Sequence, residues 1–398
     1  MQWGSAVSDS PSFTEAVTQA SEQILANLDG QHPDLAVVFI SSHHAPSYFV
    51  APEVLAEALG AKVLIGCSAA GVIGGGQEVE RRPGIAISAA VLPGVELAPF
   101  HLNQDELPSP DAGPEEWHAL LGVRPEDCPA IMLLPDPFTL RSDHLLAGLD
   151  FAYSDAVKIG GLASGGGQPG ANALFINGKS VRSGAVGVAF TGDLAVETVV
   201  AQGCRPIGEP LVVTESEGNV ISKLGDQTPL EVLRDLFDAA ETREKRLIRR
   251  SLQIGIIMDR LAQERSEGEF LIRNVLGADE EDGTLAVGEL VQEGQVVQFF
   301  ARDAQAADED LRMMLEEYID NLDGDVPASA LLFSCLGRGQ YLYGSPDHDT
   351  TMFTDMVADI PIAGFFSNGE IGPVGDQTFL HGYSASFALF RQPSKTKQ

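Results

Sequence analysis

Hydrophobic positions along this chain fall either into short continuous runs or into spacings of three and four, and the two kinds recur in one order three times. A continuous apolar run opens each round: LAVVFI at 35–40, AIMLL at 130–134 and ALLF at 330–333. A short polar loop, a helix-like segment and a second apolar run follow. The second run ends in glycine and small residues: LIGCSAAGVIGGG at 64–76, KIGGLASGGGQPG at 158–170 and PIAGFFSNGEIGPVG at 361–375. An extended apolar run closes each round, at 84–92, 184–190 and 382–390. Short apolar runs bounded by turn residues mark buried strands, and spacing by three and four marks one helix face. Each round therefore reads strand, loop, helix, strand, Gly-rich loop, strand, and such internal repetition fixes architecture first. The prediction is an α/β protein of two domains, built from these repeated units with mixed sheets.

Local signals place the boundaries. Ser12-x-x-Glu15 reads as a capping box, in which two side chains satisfy each other's orphan amides, and Phe13, Val17, Ala20, Ile24 and Leu28 share a face behind it. A helix within residues 1–30 is expected to pack on a first domain at 31–210. Asn177-Gly178 between two apolar runs is a hairpin signal, and a strand at 194–201 is expected to close that domain. Residues 204–228 are rich in Gly and Pro and read as the linker. Thr228-Pro229-Leu230-Glu231, a second capping box, opens a domain at 225–391, its helix running on toward the basic stretch 243–250. Strands at 252–258, 269–275, 284–287 and 296–301 and a helix at 307–322 precede the third round. A disordered tail is expected at 392–398.

Charge narrows the function classes. The 398 residues carry a formal net charge of -32 with a pI near 4.4. So acidic a surface repels phosphate backbones and anionic headgroups, which speaks against nucleic-acid or membrane-surface partners. No apolar run reaches the length of a membrane span, and the first residues lack a signal peptide's basic and apolar regions, so a cytoplasmic location is expected. Cys67, Cys128, Cys204 and Cys335 are far apart and form no C-x-x-C pair, which suits reduced thiols. On this acidic chain the run 243–250 is a solvated helix face complementing the helix dipole, with a partner-docking patch as the rival reading.

Few motifs carry chemistry. Gly165-x-Gly167-x-x-Gly170 matches the dinucleotide fingerprint as a string, but Pro169 intrudes and an extended run follows where a helix is required. Neither Ser68 nor Ser367 completes G-x-S-x-G. No Cys/His cluster has metal spacing, and His43-His44 reads as a surface pair. Ser334-Cys335-Leu336-Gly337-Arg338-Gly339 stands where a strand meets the first loop of the third round, the place where α/β sheets bind ligands. Arg338 between two glycines suits a guanidinium presented in a tight turn, and Asn368-Gly369-Glu370 adds a carboxylate from the second loop of that round. One fixed cation and one fixed anion would suit a zwitterion; the rival is that Arg338 and Glu370 pair with each other. Cys335 as a nucleophile is weighed against a buried cysteine at a strand end.

GCSAAGVIGGG followed by PGIAISAAVLPG resembles the FIST N-terminal domain. FLIRNVLGAD, EGQVVQFFARDA, ALLFSCLGRG, PIAGFFSNGEIGP and HGYSASFALF resemble the FIST C-terminal domain and occur in its order. The resemblance covers nearly the whole chain. It implies an intracellular sensory module in signal transduction that binds a small ligand, an amino acid or small carboxylate, and passes its signal to a protein partner. The ligand set it implies, with the neighbouring loop residues, is Gly66, Cys67, Ser68, Cys335, Gly337, Arg338, Gly364, Ser367, Asn368, Gly369 and Glu370. No catalytic residue, metal or cofactor is assigned. A protein-interaction adaptor, a haem-based gas sensor, as in one bacterial branch of the family, and a cysteine-dependent enzyme are the alternatives.

Overall fold

The computed structural model describes residues 1–257, 270–322, 326–375 and 377–393. Part of the expected tail, 394–398, and part of the strands expected at 252–258 and 269–275 lie outside the described residues.

The three rounds form the same series of elements. The first contains β1 (Gln2–Ser8), α1 (Phe13–Asn27), β2 (Leu35–Ser41), α2 (Ala51–Leu59), β3 (Val63–Ala69), the hairpin β4 (Gly71–Gly74) and β5 (Gln77–Glu80), and β6 (Ile85–Val91). The second contains β7 (Val95–Leu102), α3 (Pro114–Leu121), β8 (Ala130–Pro135), α4 (Ser142–Ala152), β9 (Val157–Gly161), the hairpin β10 (Leu174–Ile176) and β11 (Lys179–Val181), and β12 (Ala185–Gly192). The third begins with β13 (Ala195–Ala201). An insertion follows: β14 (Cys204–Glu217), β15 (Val220–Leu224), α5 (Pro229–Ala239), α6 (Thr242–Ser251), β16 (Leu252–Ile257), β17 (Phe270–Ala278), β18 (Leu285–Val287) and β19 (Val296–Arg302). The round then resumes with α7 (Ala304–Asp320), β20 (Ser329–Cys335), the short α8 (Gln340–Tyr343), α9 (His348–Met356), β21 (Ile362–Ser367), β22 (Glu370–Val374), β23 (Gln377–His381) and β24 (Ala385–Arg391). Among the described residues no helix is long and apolar enough to cross a membrane.

Each round supplies four strands of one mixed six-stranded sheet, and each sheet takes its other two strands from one other round. The orders are β1-β6-β2-β3-β10-β11, β7-β12-β8-β9-β22-β23 and β13-β24-β20-β21-β4-β5. The central pairs β2/β3, β8/β9 and β20/β21 are parallel, and β6, β12 and β24 run antiparallel beside them. The Gly-rich hairpin of the second round completes the first sheet, that of the third completes the second, and that of the first completes the third. The sequence hid these exchanges because strands β4 and β22 lie within runs that read as loops. It also placed the strand at 194–201 as the end of the first domain; instead β13 is the edge of the third sheet.

One glycine per round makes the parallel pairing possible. Gly66, Gly160 and Gly364 lie opposite Val38, Leu133 and Leu332. A Cβ on any of them would fall 2.0, 1.9 or 1.8 Å from the carbonyl oxygen of that partner. These conspicuous glycines are therefore sites of close backbone approach.

Strand alternation divides the side chains between two faces. Val37 and Phe39, Met132 and Leu134, and Leu331 and Phe333 enter one shared core. Phe365 stacks on Phe39 with centroids 4.8 Å apart and meets Phe333 edge-on at 5.9 Å. The alternate residues face helices: Ala36, Val38 and Ile40 meet Val17, Ile24 and Leu55, while Ile131 and Leu133 meet Trp117 and Leu149. Burying side chains of this size contributes about 1.5–3 kcal/mol each.

The chain divides into two compact units that do not follow the split at 31–210 and 225–391. One comprises Met1–Val200, Arg312–Leu380 and Ser384–Gln398; the other comprises Ala201–Leu311 and His381–Tyr383. Residues expected to form a linker are instead strands β14 and β15 of a closed barrel, β14-β15-β18-β17-β16-β19. Glycines and prolines there serve a bent, register-shifted strand. The Thr228–Glu231 capping box forms as read, but α5 stops at Ala239 and the basic segment is the separate helix α6. Phe237 carries the cations of Lys245 and Arg249 over its ring, and Arg243 pairs with Asp303 at 2.6 Å. At Ser12 only half of the capping box forms: Ser12 accepts from the Glu15 amide, while the Glu15 carboxylate accepts from Ser10.

Candidate functional site

The three Gly-rich loops converge because each follows the central parallel strand of its sheet. The Ser164 amide donates to the Ser68 carbonyl at 3.1 Å. Its hydroxyl donates to the Phe366 carbonyl and accepts from the Ala70 amide. The Asn368 amide donates to the Leu162 carbonyl at 3.1 Å, and the Leu162 amide to Gly369 at 2.9 Å. Ser164 is thus the hub joining the loops of Ser68 and Ser367, and the sequence reading passed it over.

Most of the residues singled out in the sequence are engaged within the protein. Gly66 and Gly364 face neighbouring carbonyls, as above. Cys67 is buried in the shared core, and burial pushes its thiol well above the ordinary range. Ser68 donates to Asn172 at 3.3 Å and accepts from the Ala173 amide at 2.9 Å. Cys335 is half-buried at the end of β20, and its amide donates to the Ser384 carbonyl. Ser367 donates to Glu370 at 2.7 Å, Asn368 is exposed, and Gly369 is buried beside Leu162. Glu370 is fully buried; its second oxygen accepts from the Ser384 hydroxyl at 2.8 Å and the Ser384 amide at 3.3 Å. Burial pushes this carboxyl up to about 7 against those hydrogen bonds.

Arg338 turns inward. Its guanidinium is 0% exposed and grips Asp349 with two bonds, of 2.8 and 3.0 Å, a bidentate pairing. Nη2 also donates to the Tyr343 hydroxyl at 2.6 Å. Tyr343 stacks on His348 at 3.4 Å, and His348 Nδ1 lies 3.1 Å from Asp349. Burial would raise the Asp349 carboxyl, but Arg338 and His348 hold it well below the usual range. From the exchanged hairpin, Glu78 accepts from the Thr350 amide at 3.1 Å, and Glu80 accepts from the Gln340 amide at 2.7 Å. Arg338 and Glu370 therefore each find other protein partners, Asp349 in one case and two serines in the other.

An open cavity of about 400 Å³ lies in front of this cluster. Its walls come from the first Gly-rich loop (Ala70, Gly71), the end of the exchanged hairpin (Glu80, Arg81), the loop after β20 (Leu336, Gly337, Tyr341) and Phe366. Of the residues singled out in the sequence, Gly337 lines this cavity. Glu80 and Arg81 set opposite charges side by side, and burial raises the Glu80 carboxyl. Arg81 is exposed and holds a left-handed backbone at φ 55°, a conformation that strains a non-glycine residue. Tyr341 is 71% exposed at the mouth. Gly339 lets the loop approach: its φ is +63°, and a Cβ there would fall 2.5 Å from the Glu80 carboxylate. Glu78, Glu80, Arg81 and Asp349 were not picked out in the sequence. The alternation Glu78-Val79-Glu80 was the available signal, since it sets two carboxylates on one face of a strand.

Among the described residues no group of His, Cys, Asp and Glu could hold a metal ion. A FIST N domain model matches residues 34–227, and a FIST C domain model matches residues 229–373. An uncharacterized protein of Mycobacterium tuberculosis is 39% identical, covering 98% of this chain and 100% of its own length. An uncharacterized protein of Mycobacterium bovis is 36% identical, covering 98% and 99%. The two matched domains adjoin at 227/229 inside the barrel insertion, between β15 and α5, and together span nearly all of the triplicated framework; the chain belongs to the FIST family, whose domains are associated with sensory signal transduction.

Proposed function

We propose that this FIST protein is a cytoplasmic sensor whose 400 Å³ cavity binds a small zwitterion, an amino acid or amino-bearing carboxylate. The observation that carries this reading is the Glu80–Arg81 pair on the cavity wall. An ammonium placed beside Glu80 and a carboxylate placed beside Arg81 would both form charge-assisted hydrogen bonds. Leu336, Phe366 and the Tyr341 ring supply the apolar contact that a side chain needs, in keeping with mostly apolar pockets that carry a few placed polar groups. Arg338 acts behind the wall: pinned to Asp349, it sets the loop that presents Gly337. The signal would pass to a separate protein partner.

A thermal-shift panel of amino acids, organic acids and simple amines tests the reading. At least one zwitterion is expected to raise the wild-type melting temperature, with the shift lost in Arg81→Ala and Glu80→Gln. A panel that moves nothing, or a shift that survives both substitutions, contradicts it.

A further inference from the structure

Behind the cavity wall, Glu78 is 4% exposed. Its Oε1 accepts from the Thr350 amide and hydroxyl, at 3.1 and 3.3 Å, but its Oε2 meets no hydrogen-bonding partner among the described residues. The groups around it are mostly acidic. From the start of α9 come Asp347, which accepts from the Glu78 amide at 2.5 Å, and Asp349. From its own strand comes Glu80, with Arg81 next in sequence. The Arg338 guanidinium is committed bidentately to Asp349 and also donates to the Tyr343 hydroxyl, while His348 lies against Asp349. One guanidinium thus already neutralises one carboxylate. An ionised Glu78 would bury a further negative charge against Asp349, with one oxygen lacking a donor, and this is the costliest way to bury a carboxyl.

We infer that Glu78 is a proton-binding site: at neutral pH it holds a proton, and that proton keeps the β4–β5 hairpin seated on α9. Losing it sets Glu78 against Asp349 and Asp347 and loosens the hairpin that supplies Glu80 and Arg81 to the cavity. This inference does not depend on what the cavity binds. Burial, followed by the charge of Asp349, pushes the carboxyl up to about 8. A folded-state value above the unfolded one means that stability is intact below the ordinary carboxylate range. It is lost as pH rises toward about 8 and falls no further beyond.

Denaturation of the full chain between about pH 5 and about pH 9 tests the site. Wild type is expected to lose stability across this range relative to Glu78→Gln, a neutral isostere. Parallel profiles would overturn the proposal. Should that variant not fold, infrared spectra of the Glu80→Gln/Glu370→Gln double variant, which lacks two further carboxyls that burial raises, decide the matter. A protonated-carboxyl band present at neutral pH and absent in alkali supports the site; no such band at neutral pH overturns it.

Discussion

Arg338 illustrates how much a single residue's surroundings decide. Two flanking glycines marked it in the sequence as a special guanidinium, and the structure makes it special by burial. Its partner, Asp349, was not legible, because the pairing depends on where α9 starts after an intervening loop. Arg338→Ala is expected to destabilise the protein by about 3–5 kcal/mol in denaturant titration, since it strands a buried carboxylate. A loss below about 1 kcal/mol, the scale of an exposed pair, would contradict the burial. Arg81 should behave in the opposite way. Arg81→Gly relieves a left-handed backbone and removes a charge on the cavity wall, so stability should stay within about 1 kcal/mol of wild type while the ligand response disappears. Glu370, raised to about 7 by burial, was visible as a loop carboxylate, but its serine partners were not. Its own stability contribution, like that of Glu78, is present in acid and lost as pH rises toward neutrality.

Among the elements, strands β2, β8 and β20 and the glycines opposite their centres were plain in the sequence, because a continuous apolar run followed by a second run that ends at glycine has few other uses. The exchanged hairpins were not. Strand β4 reads Gly-Val-Ile-Gly, and its partner β21 lies in the third round, so neither propensity nor spacing announces the pairing. Ile73, in this apparent loop, is fully buried. Ile73→Ala is therefore expected to cost about 2–5 kcal/mol, as in a core strand, whereas a surface-loop residue would change stability by about 0.5 kcal/mol or less. The barrel strands were partly legible as consecutive short apolar runs. The reading of β14 as a linker failed because Gly and Pro signal bends in strands as well as loops.

At the scale of the whole molecule, triplication was legible and its consequence was not. Each sheet takes its last two strands from another round, so the two matched family domains share sheets and are not separate folding units. A fragment of residues 1–227 keeps the FIST N match but lacks β20–β24. It is expected to show no cooperative unfolding transition; a sharp two-state melt of that fragment would contradict the sheet exchange. The same exchange gives the cavity its two charged residues, because Glu80 and Arg81 belong to the first round while Gly337 and Tyr341 belong to the third. Amide chemical-shift mapping of the full chain, titrated with the zwitterion that gives the largest thermal shift, tests this most directly. Saturable changes are predicted at Gly71, Arg81, Gly337 and Tyr341 and not at the acidic cleft around Gly122 and Asp193. Changes centred on that cleft or on the barrel, or no zwitterion that binds, would contradict the account.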